Sequence, residues 1–168
     1  RLSSSLLLAL TVAVLMVICS GTGVASSLDK WKPDFDPSGA KYKCIVSNVS
    51  TPALVGTHAG FEMRDELWKR TNGQIYIDFK PLSILGGEVE VLNMLQMGAI
   101  QGMGVSSVAS TNLGPRFGIV NLPFLVDSFE KLDKFISNEK LFDHFLHDMA
   151  HRGISCLDST GYGHYGWA

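Results

Sequence analysis

Three short polar segments contain the residues of this sequence whose types and spacing suit the binding of a small molecule. Each follows a predicted β-strand: residues 47–51 (Ser-Asn-Val-Ser-Thr), 106–110 (Ser-Ser-Val-Ala-Ser) and 159–162 (Ser-Thr-Gly-Tyr). In open α/β sheets, ligands bind beyond the carboxyl ends of the strands, where such loops converge. The first segment is also predicted to open a helix, whose free amides and dipole favour an anionic group such as a carboxylate. Capping and turn formation are the alternative role for each segment.

Three histidines have a spacing that suits metal binding. His144, His147 and His151 are three and then four residues apart, which places them on one face of a predicted helix. Imidazole is a common zinc ligand, but zinc sites built from a single helix are unusual and no cysteine pair lies nearby. We therefore interpret these histidines as a solvated helix face, and we predict neither a metal site nor a cofactor.

The sequence contains none of the short motifs that carry hydrolase, zinc-protease or nucleotide-binding chemistry. It has no Gly-x-Ser-x-Gly, no His-Glu-x-x-His and no Gly-x4-Gly-Lys-Ser/Thr. The nearest approach to Gly-x-Gly-x-x-Gly, at residues 102–104, falls inside a predicted strand. An exported hydrolase is the enzymatic alternative, but the sequence reveals no nucleophile and base for it. We predict that the chain is not an enzyme.

Composition narrows the classes of partner. The 168-residue chain has 14 Lys and Arg residues against 16 Asp and Glu residues, which gives a net charge of -2. This charge provides no basic field for nucleic acid and no polybasic patch for an anionic membrane. The expected partner is a small molecule or another protein.

The first 25 residues are predicted to be a secretory signal peptide. An uncharged run from Leu6 to Cys19 is followed by small residues at Gly23 and Ala25, which suit a cleavage site. The run is shorter than the about 20 residues that a membrane-spanning helix needs, so a permanent anchor is the weaker interpretation. A lipid anchor at Cys19 is disfavoured because the bulky Ile18 precedes it. We therefore predict export to the periplasm.

Export makes a disulfide between Cys44 and Cys156 chemically feasible. Each cysteine lies in an apolar, strand-like run, however, and a free cysteine commonly behaves as a small buried hydrophobe. We favour two buried thiols and leave the pairing open.

Strands and helices alternate along the remaining sequence. Residues 26–40 are polar and interrupted by two prolines, which is typical of an exposed leader. Strands are predicted at 42–46, 75–79, 100–105 and 154–158, and helices at 52–70, 88–97, 129–136 and 139–151. Apolar stripes predict burial of Leu54, Phe61, Leu67 and Trp68 in the first helix and of Val89, Leu92 and Leu95 in the second. The alternation predicts an α/β fold with a largely parallel sheet.

Four motifs, taken together, resemble the DctP-type solute-binding proteins of tripartite ATP-independent periplasmic (TRAP) transporters. They are Arg-Thr-Asn-Gly at 70–73, Leu-Gly-Gly-Glu at 85–88, Leu-Gln-Met-Gly-Ala-Ile at 95–100 and Asn-Leu-Pro-Phe-Leu at 121–125. The resemblance covers about Lys41 to the end of the chain and corresponds to the first half of such a receptor.

The resemblance implies a receptor with two α/β lobes that close on a small organic acid and deliver it to the membrane subunits of an ion-gradient-driven permease. Residues 41–160 would form the first, periplasmic binding protein-like lobe, and residues 161–168 would begin the crossover to a second lobe that is mostly missing from this chain. An ABC-type periplasmic binding protein and an extracytoplasmic ligand-sensing domain are the alternatives.

The resemblance also implies positions that contact the ligand. They are Ser47 and Asn48 after the first strand, Ser106 and Ser107 after the third, and Tyr162 and Tyr165 in the turn after the last. Many members place an arginine where Tyr165 stands, and a tyrosine hydroxyl cannot grip a carboxylate with two parallel hydrogen bonds. We therefore expect a monocarboxylate with a sizeable apolar or hydroxylated body rather than a compact dicarboxylate.

Overall fold

A computed structural model of the chain describes residues 28–157. The predicted signal peptide, the predicted crossover at 161–168, and the predicted ligand contacts Tyr162 and Tyr165 lie outside these residues. Within the described part of the chain, no helix combines the length and the apolar character needed to cross a bilayer.

Three parallel strands form the sheet: β1 (Tyr42–Ser47), β2 (Ile75–Lys80) and β3 (Gly102–Met103). The strand order is β2-β1-β3; β1 pairs with β2 along its whole length and with β3 only at its carboxyl end. The predictions of β1 and β2 are confirmed, whereas β3 is shorter than the predicted strand at 100–105. Because all three strands are parallel, their carboxyl ends lie at one edge of the sheet.

Five α-helices surround the sheet in the described residues. They are α1 (Val55–Arg70), α2 (Glu88–Gln96), α3 (Ser107–Ser110), α4 (Phe129–Ile136) and α5 (Glu139–Ala150), with a 3-10 helix at Pro115–Asn121 before α4. Side-chain oxygens of Ser128 and Asn138 accept hydrogen bonds from the first turns of α4 and α5, which is the usual way in which a polar residue starts a helix. The predicted α/β fold with a parallel sheet is confirmed.

The predicted strand at 154–158 is wrong for the residues that the structure describes. Residues 154–157 stay outside the sheet, and Asp158 is not described. Ile154 and Cys156 instead pack against a core cluster that contains Leu92 and Met149.

Of the residues predicted to be buried in the two helices, two are exposed, and Leu67, Trp68 and Leu95 are half-buried. Phe61 and Leu92 are buried as expected. Leu54 is 46% exposed. It is the N-cap of α1, which begins at Val55 rather than at the predicted residue 52. Val89 is 48% exposed, since Val91 rather than Val89 shares the inner face of α2 with Leu92.

The segment before β1 packs against the lobe, so the prediction of an exposed leader is wrong at its aromatic residues. Trp31 stacks on Phe61 with 4.8 Å between ring centroids, and Phe35 stacks on Trp68 at 4.6 Å. The guanidinium of Arg64, which is 5% exposed, donates to the Trp31 carbonyl oxygen at 2.7 Å. Aromatic stacking and this hydrogen bond join the segment to α1.

Cys44 and Cys156 are not joined to each other. Both are half-buried thiols, Cys44 within β1 and Cys156 beside the core cluster of α2 and α5. Both are less buried than the interpretation of two buried thiols predicted.

Candidate functional site

The loops after β1, β2 and β3 converge at the carboxyl edge of the sheet. The sequence predicted this for the segments at 47–51 and 106–110, and the third predicted segment, 159–162, lies outside the described residues. An open cavity of about 510 Å³ lies at this edge, between the first turn of α2 and α3. Its lining comes from the loops after β1 and β2 and from these two helices, and consists of Val49, Ser83, Gly87, Glu88, Val89, Glu90, Val108, Ala109, Thr111 and Asn112. We take this edge, with its cavity, as the candidate site.

Backbone hydrogen bonds hold the loop after β2 against the loop after β1. Leu82 N donates to Ser50 O at 3.1 Å, and Ser83 N donates to Asn48 O at 3.4 Å. Leu82 and Ser83 have φ angles of 61° and 54°, in the left-handed region. For residues other than glycine this conformation costs on the order of 1 kcal/mol or more, and it persists where the surroundings impose it. The two loops therefore form one ordered rim.

Ser47 offers no atom to a ligand in this structure. Its side chain is fully buried, at 0% exposure, and its hydroxyl donates to the Lys80 carbonyl oxygen at 3.1 Å. The hydrogen bond links the carboxyl ends of β1 and β2. Its observed role is to hold the sheet together beneath the site.

Asn48 connects the loops of β1 and β3. Its side chain is 9% exposed, and its Oδ1 accepts a hydrogen bond from Ser50 N at 2.7 Å, which closes a tight turn. Its amide nitrogen lies against Gly104, where an added Cβ would come within 3.1 Å of it. The close approach explains why a glycine suits position 104.

Ser106 is bound at both its backbone and its side chain by a carboxylate. Ser106 N donates to Glu88 Oε1 and Ser106 Oγ donates to Glu88 Oε2, both at 2.7 Å. The Ser106 hydroxyl also accepts from Ala109 N at 3.1 Å, which caps α3. Hydrogen bonds to an ionised group are shorter and stronger than neutral ones, so this pair fixes the start of α3 relative to α2.

Ser107 also directs its hydroxyl into the protein. Its Oγ donates to Asn121 Oδ1 at 2.7 Å and joins α3 to the end of the 3-10 helix. Ser47, Asn48, Ser106 and Ser107 therefore lie around one edge of the sheet, but none of the four lines the cavity, and their contact with a ligand stays a prediction. The hydroxyl protons of the three serines are all used within the lobe.

The helix start that carried the predicted anion site lies later in the chain than expected. The sequence placed this start at Pro52, directly after the polar loop of β1. The structure has a turn there, in which Leu54 N donates to Thr51 O at 3.1 Å, and α1 begins only at Val55. The first turn of α1 does not line the cavity.

Glu88 is the site residue that sequence reasoning missed. It lines the cavity and lies in the first turn of α2, where a carboxylate favours the positive end of the helix dipole. A local signal existed, since Glu88 is the last residue of the Leu-Gly-Gly-Glu motif that opens the helix. Its partner Ser106 is 18 residues away, however, and only the fold reveals their contact.

The charge of the cavity lining is negative. Glu88 and Glu90 both line it, and no Lys, Arg or His is among the lining residues. Among the described residues, no group of three or more His, Cys, Asp or Glu side chains is placed to hold a metal. His147 and His151 instead contact each other, with 4.3 Å between ring centroids.

Comparisons with known proteins identify the same class of molecule. The pattern of the DctP family, described as bacterial extracellular solute-binding protein, family 7, matches residues 46–167. The uncharacterized protein YiiZ of Salmonella typhimurium strain LT2 is 27% identical over 86 residues, which are 51% of this chain and 26% of YiiZ.

Solved structures share the fold. A TRAP periplasmic solute-binding protein from Xanthobacter autotrophicus Py2, with bound β-D-galacturonate, superposes with a TM-score of 0.60 at 27% identity, covering 66% of this chain and 37% of its own. A counterpart from Pseudomonas aeruginosa PAO1, with bound L-malate, gives a TM-score of 0.64 at 22% identity, covering 69% of this chain and 40% of its own, and shows the fold alone. The chain spans about a quarter of the length of the curated relatives that it matches.

Proposed function

The chain belongs to family 7 of the bacterial extracellular solute-binding proteins, the DctP family, and from this premise we propose that it is the first lobe of a receptor for a small organic acid. One observation supports the proposal most: the carboxyl edge of the parallel sheet carries an open, polar-rimmed cavity of about 510 Å³. Ligand sites of open α/β sheets lie at this edge. The family consists of solute-binding proteins, so the prediction that the chain is not an enzyme is confirmed at the level of the family.

The class of ligand follows from what similar proteins hold. The Xanthobacter protein was solved with galacturonate and the Pseudomonas protein with malate, and both ligands are carboxylic acids of modest size. A small organic acid is therefore the ligand that we propose for this receptor.

The cellular role follows from the same relationship. Both solved relatives are described as TRAP periplasmic solute-binding proteins. We propose that residues 1–25 direct export to the periplasm, and that the loaded receptor delivers its acid to the membrane subunits of a TRAP-type permease driven by an ion gradient. The receptor needs no cofactor for this role, because binding and release of the solute involve no covalent chemistry.

An uptake measurement tests the delivery step. A thermal-shift screen of the complete gene product first selects the organic acid that raises its melting temperature most, since a ligand that binds only the folded state stabilises it. Uptake of that radiolabelled acid is then compared between the parent bacterium and a strain lacking the gene. We expect uptake to be lost in the deletion strain, to return with a plasmid copy, and to stop when the sodium gradient is collapsed. Unchanged uptake in the deletion strain would refute the transport role.

A further inference from the structure

Apolar side chains are concentrated on the surface between the 3-10 helix and α4, in the segment that contains the Asn-Leu-Pro-Phe-Leu motif. Four of them are exposed, and we call them the apolar seat: Ile119, Leu122, Phe124 and Leu125. Phe124 is 91% exposed. Isolated apolar side chains are common on protein surfaces, but a concentrated group of them marks a surface that another surface covers. None of the four lines the cavity, so the seat serves a contact other than ligand binding.

Phe124 combines its exposed ring with an unfavourable backbone conformation. Its φ angle is 64°, in the left-handed region. Residues with a bulky side chain rarely adopt this region, because the Cβ atom approaches the backbone. Such conformations persist where the surroundings impose them, and they are concentrated at functional positions. Since both costs occur at one residue, a contact of the Phe124 ring is what can offset them.

Hydrogen bonds fix the backbone of the seat to the lobe. Ser107 Oγ donates to Asn121 Oδ1 at 2.7 Å and ties the start of the seat to α3. Leu122 N donates to Ile119 O at 3.1 Å, and Leu125 N donates to Leu122 O at 3.3 Å, which closes a turn around Phe124. The exposed ring therefore belongs to an ordered surface.

The length of the solved relatives indicates what covers the seat. The chain covers 37% and 40% of the two receptors described above, so more than half of each has no counterpart here. The described residues end at 157, after the seat in the chain, and Leu157 is 94% exposed. A gene product as long as these relatives has a second part large enough to cover an apolar surface of this size.

A permanent contact fits the seat better than a transient one. A partner that dissociates would leave the Phe124 ring in water and its backbone cost without compensation in the free protein. A face that meets the second part only when ligand is bound would have the same disadvantage in the empty receptor. The seat also lies outside the cavity lining, where ligand would not bridge the two parts. A contact that persists with and without ligand avoids these costs.

We propose that the remainder of the gene product, beyond residue 168, packs on the apolar seat through an apolar surface of its own, with Phe124 as the central side chain. The contact is present in the ligand-free and the ligand-bound receptor and acts as a pivot between its two parts. Because Asn121 ties the seat to α3, and α3 residues line the cavity, the pivot positions the second part relative to the candidate site. This inference rests on the proposed function and specifies how the two parts are joined.

Hydroxyl-radical footprinting of the complete gene product tests the contact. It is carried out without ligand and with D-galacturonate or L-malate, whichever raises the melting temperature more. The protection of a side chain is its intrinsic reactivity divided by its measured oxidation rate. We expect Phe124 to be protected about tenfold or more relative to Tyr42, an exposed aromatic residue at the amino end of β1 that serves as the control. The protection should be present before the acid is added and should change less than twofold afterwards.

A substitution at Phe124 provides a second measurement on the complete gene product. Glycine adopts the left-handed conformation without steric cost, so Phe124→Gly should leave the melting temperature unchanged or raise it if the ring stays in water. If the ring is buried, as we expect, losing its contacts outweighs the backbone relief and lowers the melting temperature by about 3 °C or more. Asn72→Gly is the matched control, since exposed Asn72 has a φ angle of 49°, and it should not lower the melting temperature.

The outcomes separate this inference from the proposed function. Phe124 as reactive as Tyr42 in the ligand-free protein would overturn the inference, and so would protection that appears only with the acid or only in a dimer identified by light scattering. Each of these results leaves an organic-acid receptor in place. Failure to bind any organic acid would overturn the proposed function, and the ligand-free protection of Phe124 would then decide the contact alone. If Phe124→Gly does not fold, footprinting of the wild type decides.

Discussion

The hydroxyl of Ser47 lies in the interior at the end of β1, where it donates to the Lys80 carbonyl oxygen. The Ser106 hydroxyl lies beside the cavity, but it also donates within the lobe, to Glu88 Oε2. The two serines thus differ in their positions: Ser47 is the last residue of β1, whereas Ser106 lies beyond the end of β3, at the start of α3. The first contributes to stability, and the second keeps an acceptor in place.

The Ser47→Ala variant tests whether the Ser47 hydroxyl contributes to stability and not to ligand binding. Removing a buried hydroxyl that makes one hydrogen bond lowers the free energy of unfolding by about 1 kcal/mol. The Lys80 carbonyl oxygen keeps a second donor, Asn48 N at 3.0 Å, so the loss should not be larger. Urea denaturation measures the change in stability, and calorimetry should show unchanged ligand affinity. Weaker binding with unchanged stability would place Ser47 in the binding site.

At the scale of elements, the packing of α1 on β2 supports the edge that carries the site. Gly60 in α1 lies directly over Phe79 of β2, and a Cβ added there would come within 2.3 Å of the ring. Phe79 in turn meets Phe61 edge-on, with 5.0 Å between centroids. The absence of a side chain at position 60 lets helix and strand approach closely.

Gly60→Ala is therefore expected to destabilise the protein. Alanine favours a helix interior over glycine by about 1 kcal/mol, but overpacking against an aromatic ring costs about 1–3 kcal/mol and should prevail. Gly39→Ala is the control, because no heavy atom lies within 4 Å of its added Cβ. Thermal denaturation of both variants measures the difference. A melting temperature for Gly60→Ala at or above that of the wild type would contradict the described packing.

The elements that could be predicted from the sequence are those whose patterns are local. The alternation of Ile75, Ile77 and Phe79 identified β2, and Ser128 identified the start of α4. The predictions that failed concern segments whose structure depends on residues far away in the sequence. Ile154 and Cys156 pack against a core cluster that includes Leu92, far away in the sequence, and Trp31 gave no local sign that it would pack on α1.

The site was predictable in position and not in polarity. Parallel strands bring their carboxyl ends to one edge, so the loops at Asn48 and Ser106 could be placed there from the pattern alone. The direction of each hydroxyl depends on its acceptor, and Ser106 finds that acceptor 18 residues away, at Glu88. The serine-rich loops predicted donors for an oxyanion, whereas the hydroxyl protons of Ser47, Ser106 and Ser107 are used within the lobe.

At the scale of the whole molecule, we propose that the described residues supply one wall of a binding site. The cavity is open to solvent, and the chain covers 37% and 40% of the two solved receptors described above. Polar contacts on a single wall compete with water for little net gain. We therefore expect the complete gene product to bind far more tightly than the 168-residue chain alone.

The most direct test of the central claim is isothermal titration calorimetry of the complete gene product with a panel of small organic acids, neutral sugars and amino acids. An organic-acid receptor should bind at least one acid with one-to-one stoichiometry, and the 168-residue chain, titrated in parallel, should bind it at least a hundredfold more weakly. Binding of a neutral sugar or amino acid with no response to any organic acid would contradict the account of the ligand. Equal affinity of the 168-residue chain and the complete gene product would contradict the account of a site that one lobe only begins.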